Sequence, residues 1–241
     1  MIARLIAMAG LLAAAVIGFH VWKWIGARNP WPRRFLAGIA GIAGVRIRTT
    51  GSAAPGRLLI LANHVSWIDI PALAAATGTA FVAHDGLAGV PLFKWLCEMN
   101  DTVFVARHDR ASIAAQIEAL RTALSEKSAI TVFPEGTTSD GTELLPFKSS
   151  LLAAIDPLVQ GITVQPVWLD YGPQAPAIAW VDEEPGVSSF LAILSRAEPV
   201  ELTIHFLEPL TAPELVNRKT MAAAAREAIA AAMAAVPLQK P

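Results

Sequence analysis

The sequence predicts an α/β fold: a central mixed, largely parallel sheet flanked by helices, with an N-terminal membrane-associated helical segment. Three observations predict it. After residue 45, runs of strand length alternate with segments of helical period, as in a sheet covered on both faces. Several of those runs are continuously apolar, as strands buried on both sides are. Before residue 45 lies an uncharged run, Leu5 to Trp22, whose 18 residues reach the lower limit for crossing a bilayer.

Composition narrows the class. Apolar residues make up 54% of the 241-residue chain and charged residues 16%, which excludes disorder and exceeds what one soluble core needs. The single cysteine, Cys97, excludes an internal disulfide, fits a cytosolic catalytic domain, and reads as core packing in "FKWLCEM". The net charge of −1 hides an asymmetry: the first 68 residues hold eight Lys/Arg and no Asp or Glu, leaving −9 on the remainder. A basic segment that is also the most apolar part of the chain points to lipid as its anionic partner, not to nucleic acid.

The N-terminal elements come first. The run Leu5–Trp22 is followed by Lys23, Arg28, a turn-like "NPWP", Arg33 and Arg34, and then a second uncharged run from Phe35 to Val45 that is too short to span alone. Two arrangements fit. One is a single span with its basic flank in the cytoplasm. The other is a helical hairpin in one leaflet, with Trp22, Trp24 and Trp31 at headgroup level. Either way residues 1–45 are expected to anchor a catalytic domain of residues 46–241, on the cytoplasmic side of the inner membrane. A cleaved signal peptide fits less well, because the flank offers no small-x-small cleavage site.

From residue 45 the period changes. "VRIRTTG" (45–51) alternates, and "RLLILAN" (57–63) is a continuous apolar run. "IDIPALAAAT" (68–77) is helical, "TAFVA" (79–83) a strand, "PLFKWLCEM" (91–99) a short helix and "DTVFVAR" (101–107) a strand. Residues 111–127 place Ile113, Ile117, Leu120 and Leu124 on one helical face, with Ser112 at the N-cap position. "SAITVFPEG" (128–136), "ITVQPVWLDY" (162–171) and "PVELTIHFLEPL" (199–210) are further strands, and residues 212–236 form an Ala-rich helix.

Three polar loops follow apolar strands: "NHVSWID", "RHDR" and "PEGTTSDG". Ligand sites in such sheets gather at those strand ends. His64 can remove a proton near neutral pH, and Asp69 can hold its other ring nitrogen if the chain turns into a helix between them. Ser66-x-x-Asp69 also has the form of a capping box. With no G-x-S-x-G and no cysteine paired to a histidine, a histidine base implies attack by a substrate hydroxyl. Arg107 and Arg110 offer guanidinium groups to phosphate or carboxylate. His64, Asp69, His84 and His108 have no recognised metal-ligand spacing, so a metal-dependent hydrolase has no support and no metal is expected.

These residues carry a resemblance. "NHVSWID" is similar to the N-H-x-x-x-x-D motif of the 1-acylglycerol-3-phosphate acyltransferase family, "VFVAR" to its second block, "FPEGTTS" to its third and "VQPVWL" to its fourth, in the same order. "LPFKSSLL" resembles its lysine-bearing segment. The resemblance covers about residues 45 to 210. It implies a membrane-bound O-acyltransferase moving a fatty acyl group from acyl-CoA or acyl carrier protein to a lysolipid hydroxyl, with no other cofactor. His64 would then be the base and Asp69 its orienting partner. Asn63, Ser66, Arg107, Glu135, Gly136, Thr137 and Lys148 would shape the substrate site. Lysophosphatidate is the expected acceptor, giving phosphatidate. Two positions depart from the pattern: Thr138, where the family commonly has Arg, and His84, where many members have Lys. "EGTTSDG" resembles the branch acting on lyso-ornithine lipids, which makes that the alternative acceptor. A lipid-binding protein that keeps the fold without catalysis is the remaining reading, and intact His64 and Asp69 disfavour it.

Overall fold

A computed structural model describes residues 1–25, 29–84, 102–105, 118, 122, 128–156, 158, 160–181 and 184–236. Arg107, Arg110, Cys97, the expected helix over 91–99 and, apart from the helical Glu118 and Thr122, the helix over 111–127 lie outside the described residues.

The strands are β1 (Val45–Thr50), β2 (Arg57–Ala62), β3 (Ala80–His84), β4 (Val103–Val105), β5 (Ala129–Val132), β6 (Ile162–Asp170) and β7 (Val200–Phe206). They form one sheet in the order β1-β7-β6-β2-β5-β3-β4. Every neighbouring pair is parallel except β6 and β7. β2, β5 and β6 therefore end on the same edge of the sheet.

β2 shows why its run is continuously apolar. Leu58, Ile60 and Ala62 point into one core and Leu59 and Leu61 into the other. The first core is closed by α3 (Asp69–Thr77) and α5 (Gly186–Ser195), and the second by a 3-10 helix over Ser149–Ile155 and α6 (Arg218–Ala235). A short helix, α4 (Ala175–Ile178), lies in the connection from β6 to α5.

Two helices precede the sheet, α1 (Ile2–Ile25) and α2 (Trp31–Ala43). They pack closely enough to demand glycine at the crossing. A Cβ on Gly18 would lie 1.9 Å from the Trp31 ring, and one on Gly38 would lie 2.7 Å from Leu11. α2 in turn packs on α3, with Phe35, Ala40 and Ala43 buried. α1 buries only Ala15 and Gly18 and presents Ile6, Ile17, Val21 and Trp24 outward. It is long and apolar enough to cross a membrane.

The structure revises boundaries and adds helices. β7 stops at Phe206, short of residue 210. The last helix starts at Arg218 and not at 212, because Asn217 breaks the chain there and its side chain accepts from the N–H groups of Lys219 (2.8 Å) and Thr220 (3.1 Å). α5 has no counterpart in the sequence reading. Its apolar stretch is only ten residues long, too short for periodicity to separate from a loop.

Candidate active site

The loop after β2 turns into α3 within six residues, which brings Asp69 back beside His64. His64 Nδ1 lies 2.8 Å from Asp69 Oδ2. The same oxygen accepts the N–H groups of Val65 (2.7 Å) and Ser66 (2.9 Å). Asp69 Oδ1 accepts from the Tyr171 hydroxyl. Asp69 is fully buried, whereas the His64 side chain keeps 17% of its surface exposed. The carboxylate holds the Nδ1 edge of the imidazole and turns the Nε2 edge away from itself.

The capping-box expectation is half met. Asp69 accepts the Ser66 N–H, but the Ser66 hydroxyl is buried without a partner, and the residue before the helix is Ile68. Asn63 is also buried. Its amide donates to the Leu169 carbonyl (3.1 Å) and accepts the Leu169 N–H (2.7 Å), so it joins the ends of β2 and β6. Neither end of that amide faces outward.

The loop after β5 holds the backbone of His64 from both sides. Glu135 accepts its N–H (3.0 Å), and the Ser139 N–H donates to its carbonyl (2.7 Å). The other Glu135 oxygen accepts the Leu145 N–H (3.3 Å). Burial pushes the Glu135 carboxyl up to about 7, against the pull of those two N–H groups and of His64. Phe133 stacks under the imidazole, with ring centroids 4.1 Å apart. Gly136, at φ 69°, and the exposed Thr137 continue the turn. The Lys148 N–H returns to the Pro134 carbonyl (2.7 Å), which leaves the exposed side chain beside that turn.

Two residues here escaped the sequence reading. Tyr171 follows β6 directly, and its only signal is that it is the chain's single tyrosine, at a strand end. Burial raises its hydroxyl well above the ordinary tyrosine range, and the Asp69 charge raises it further. Trp180 lies in the connection from β6 to α5. Its backbone N–H donates to the Val65 carbonyl (2.9 Å), and its carbonyl accepts the Thr138 hydroxyl. Among the described residues, no group of three or more His, Cys, Asp or Glu could hold a metal ion.

A partly exposed imidazole, hydrogen-bonded to a buried carboxylate at the C-terminal edge of parallel strands, has the form that a general base needs. Comparison with known proteins gives the family. The family profile described as "Acyltransferase" matches residues 45–170. The lyso-ornithine lipid O-acyltransferase of Brucella abortus is 30% identical over 88% of this chain and 85% of its own length. The 1-acyl-sn-glycerol-3-phosphate acyltransferase of Neisseria gonorrhoeae is 37% identical, over 42% of this chain and 40% of its own. The crystal structure of the 1-acyl-sn-glycerophosphate (LPA) acyltransferase from Thermotoga maritima shares the fold, with a TM-score of 0.69 at 20% identity, covering 100% of this chain and 98% of that one. The chain belongs to the acyltransferase family.

Proposed function

We propose that the protein O-acylates a lyso-ornithine lipid, with acyl-CoA or acyl carrier protein as donor. The observation that carries this reading is coverage: the Brucella relative aligns along most of both chains, while the Neisseria relative aligns over less than half of either. The site supports it. The Thr138 hydroxyl is engaged by the Trp180 carbonyl, so position 138 offers no cation to a phosphate monoester. The expectation of lysophosphatidate gives way to the alternative acceptor for these reasons.

In the reaction, His64 Nε2 removes the proton from the acceptor hydroxyl while Nδ1–H faces Asp69. The acceptor oxygen attacks the thioester carbonyl carbon, the tetrahedral intermediate collapses, the C–S bond breaks, and the imidazolium returns its proton to the leaving thiolate. The products are an ester and a free thiol. Arg107 and Lys148 supply cations for the ornithine carboxylate. Gly136 and Thr137 line the acceptor side, and the buried Asn63, Ser66 and Glu135 hold the His64 loop and Asp69 in place.

The test is direct competition. Purified full-length protein in vesicles receives equal amounts of lyso-ornithine lipid and lysophosphatidate, with acyl-CoA in one arm and acyl carrier protein in the other, and products are read by mass spectrometry. The expected result is preference for the lyso-ornithine lipid, with Thr138→Arg shifting the ratio about tenfold toward lysophosphatidate, the effect of one charged hydrogen bond. Preference of the wild type for lysophosphatidate overturns the headgroup reading and leaves acyl transfer intact.

We also propose that α1 and α2 lie in the cytoplasmic leaflet of the inner membrane as a hairpin. Supporting this, Arg4 donates to the carbonyls of Leu194 (3.1 Å) and Arg196 (2.8 Å), while Arg33, near the far end of the α1–α2 packing, donates to the Ala75 carbonyl (2.9 Å). The N-terminal end of α1 is thus held against the catalytic domain, whereas a spanning helix would carry it across the bilayer. A tag on Met1 of vesicle-bound protein should be removed by protease added outside, with binding kept in 1 M salt because the apolar face of α1 is inserted. Protection of the tag supports a span, and release by salt supports a purely electrostatic contact.

A further inference from the structure

Asp69 has no exposed surface, so its charge must be met by protein groups alone. Oδ2 meets the His64 ring and two backbone N–H groups, and Oδ1 meets the Tyr171 hydroxyl. We propose that Tyr171 is a positioning residue for acyl transfer, its hydroxyl fixing the Asp69 carboxylate plane and drawing part of its charge away from the His64 base. The proposal rests on His64 being that base.

The chain is built to deliver this hydroxyl. β6 pairs with β2 up to Ala62 and Val167. The Asn63 amide then extends the pairing to Leu169, which fixes the register of the residue two places further on. Immediately after Tyr171 the chain turns: Asp170 Oδ1 accepts the Gly172 N–H (2.7 Å), and Gly172 takes φ +53°. Tyr171 is therefore held from both sides, 3% exposed, with its ring in the core beneath α3. In this light the first residue of "NHVSWID" serves the last one through a tyrosine over 100 residues away, since Asn63 seats the strand end that carries Tyr171.

The chemical consequence follows from the two oxygens. During transfer Oδ2 faces the Nδ1–H of an imidazolium. A carboxylate with all its charge at Oδ2 would hold that cation tightly and keep the base protonated. A hydroxyl on Oδ1 shares the charge and prevents the group from rotating, so the base is oriented and still able to cycle. Asp69 has three titratable neighbours here: His64 from the loop after β2, Glu135 from the loop after β5 and Tyr171 from the end of β6.

Tyr171→Phe tests this with little change in shape. The expected result is a kcat lower by about tenfold to a hundredfold, the range of one hydrogen bond to a charged group. KM for both substrates should stay within roughly threefold, and the acidic limb of the pH–rate profile should move to higher pH. Equal kcat and an unmoved profile overturn the proposal. A spectroscopic arm needs no variant at Tyr171. With one tyrosine in the chain, a 13Cζ-tyrosine label gives one signal. In Glu135→Gln, which removes the carboxyl raised to about 7, that signal should still shift between pH 5 and 8, and the shift should vanish when His64→Ala is added. A signal that does not respond to pH in wild type overturns the proposal even if Tyr171→Phe fails to fold. The base reading is judged separately, by whether His64→Ala is active.

Discussion

His64→Ala is expected to lower turnover by roughly 10²–10⁴-fold, the usual contribution of a positioned general base. The change removes the ring nitrogen proposed to deprotonate the acceptor and touches little else. The neighbouring backbone stays clamped, because Glu135 and Ser139 hold the N–H and carbonyl of residue 64 and not its side chain. The cost in stability is the stacking on Phe133 and one of the donors to Asp69, about 1–3 kcal/mol in all. Thiol release from acyl-CoA gives the rate, and calorimetry gives the stability. A folded His64→Ala protein with near-wild-type turnover would remove His64 from the mechanism.

The part of the site that lies within one stretch of chain was legible in the sequence. His64 and Asp69 are five residues apart, and a turn into a helix is enough to join them. Glu135 was legible as a member of a motif. Which backbone it holds was not, because only the structure brings the loop after β5 against residue 64. Tyr171 and Trp180 were invisible for the same reason. Each acts across more than 100 or 40 residues through a strand register or a backbone bond, and neither belongs to a motif. The sheet followed the sequence where runs were continuous and buried on both faces, as in β2. The reading failed where polar chemistry sets the boundary, as at Asn217. For the anchor, hydropathy marked α1 and α2, but it carries no information about Arg4 reaching the carbonyls at the end of α5, and those bonds favour the hairpin.

Asp69→Asn is expected to cost about 10²–10³-fold in kcat while the protein remains folded, and the hydrogen bonds explain both halves of that statement. The amide must choose which end faces the His64 side. The two N–H groups of Val65 and Ser66 point at that position, so only the amide oxygen is tolerated there. The NH2 then faces Tyr171, whose hydroxyl can turn and accept. His64 keeps its tautomer, since Nδ1–H still finds an oxygen. What is lost is the negative charge that stabilises the imidazolium during transfer, an effect on the rate and not on ground-state shape. Stability should fall by about 1–3 kcal/mol, as a charged acceptor becomes a neutral one for the Val65, Ser66 and His64 donors. Removing the charge also takes away one of the influences that raise the Glu135 carboxyl. Adding Tyr171→Phe to Asp69→Asn should destabilise the protein further, because the buried NH2 then has no acceptor. Thiol release and calorimetry on the single and double variants check each step. Activity of Asp69→Asn within threefold of wild type would show that the charge of Asp69 is not used.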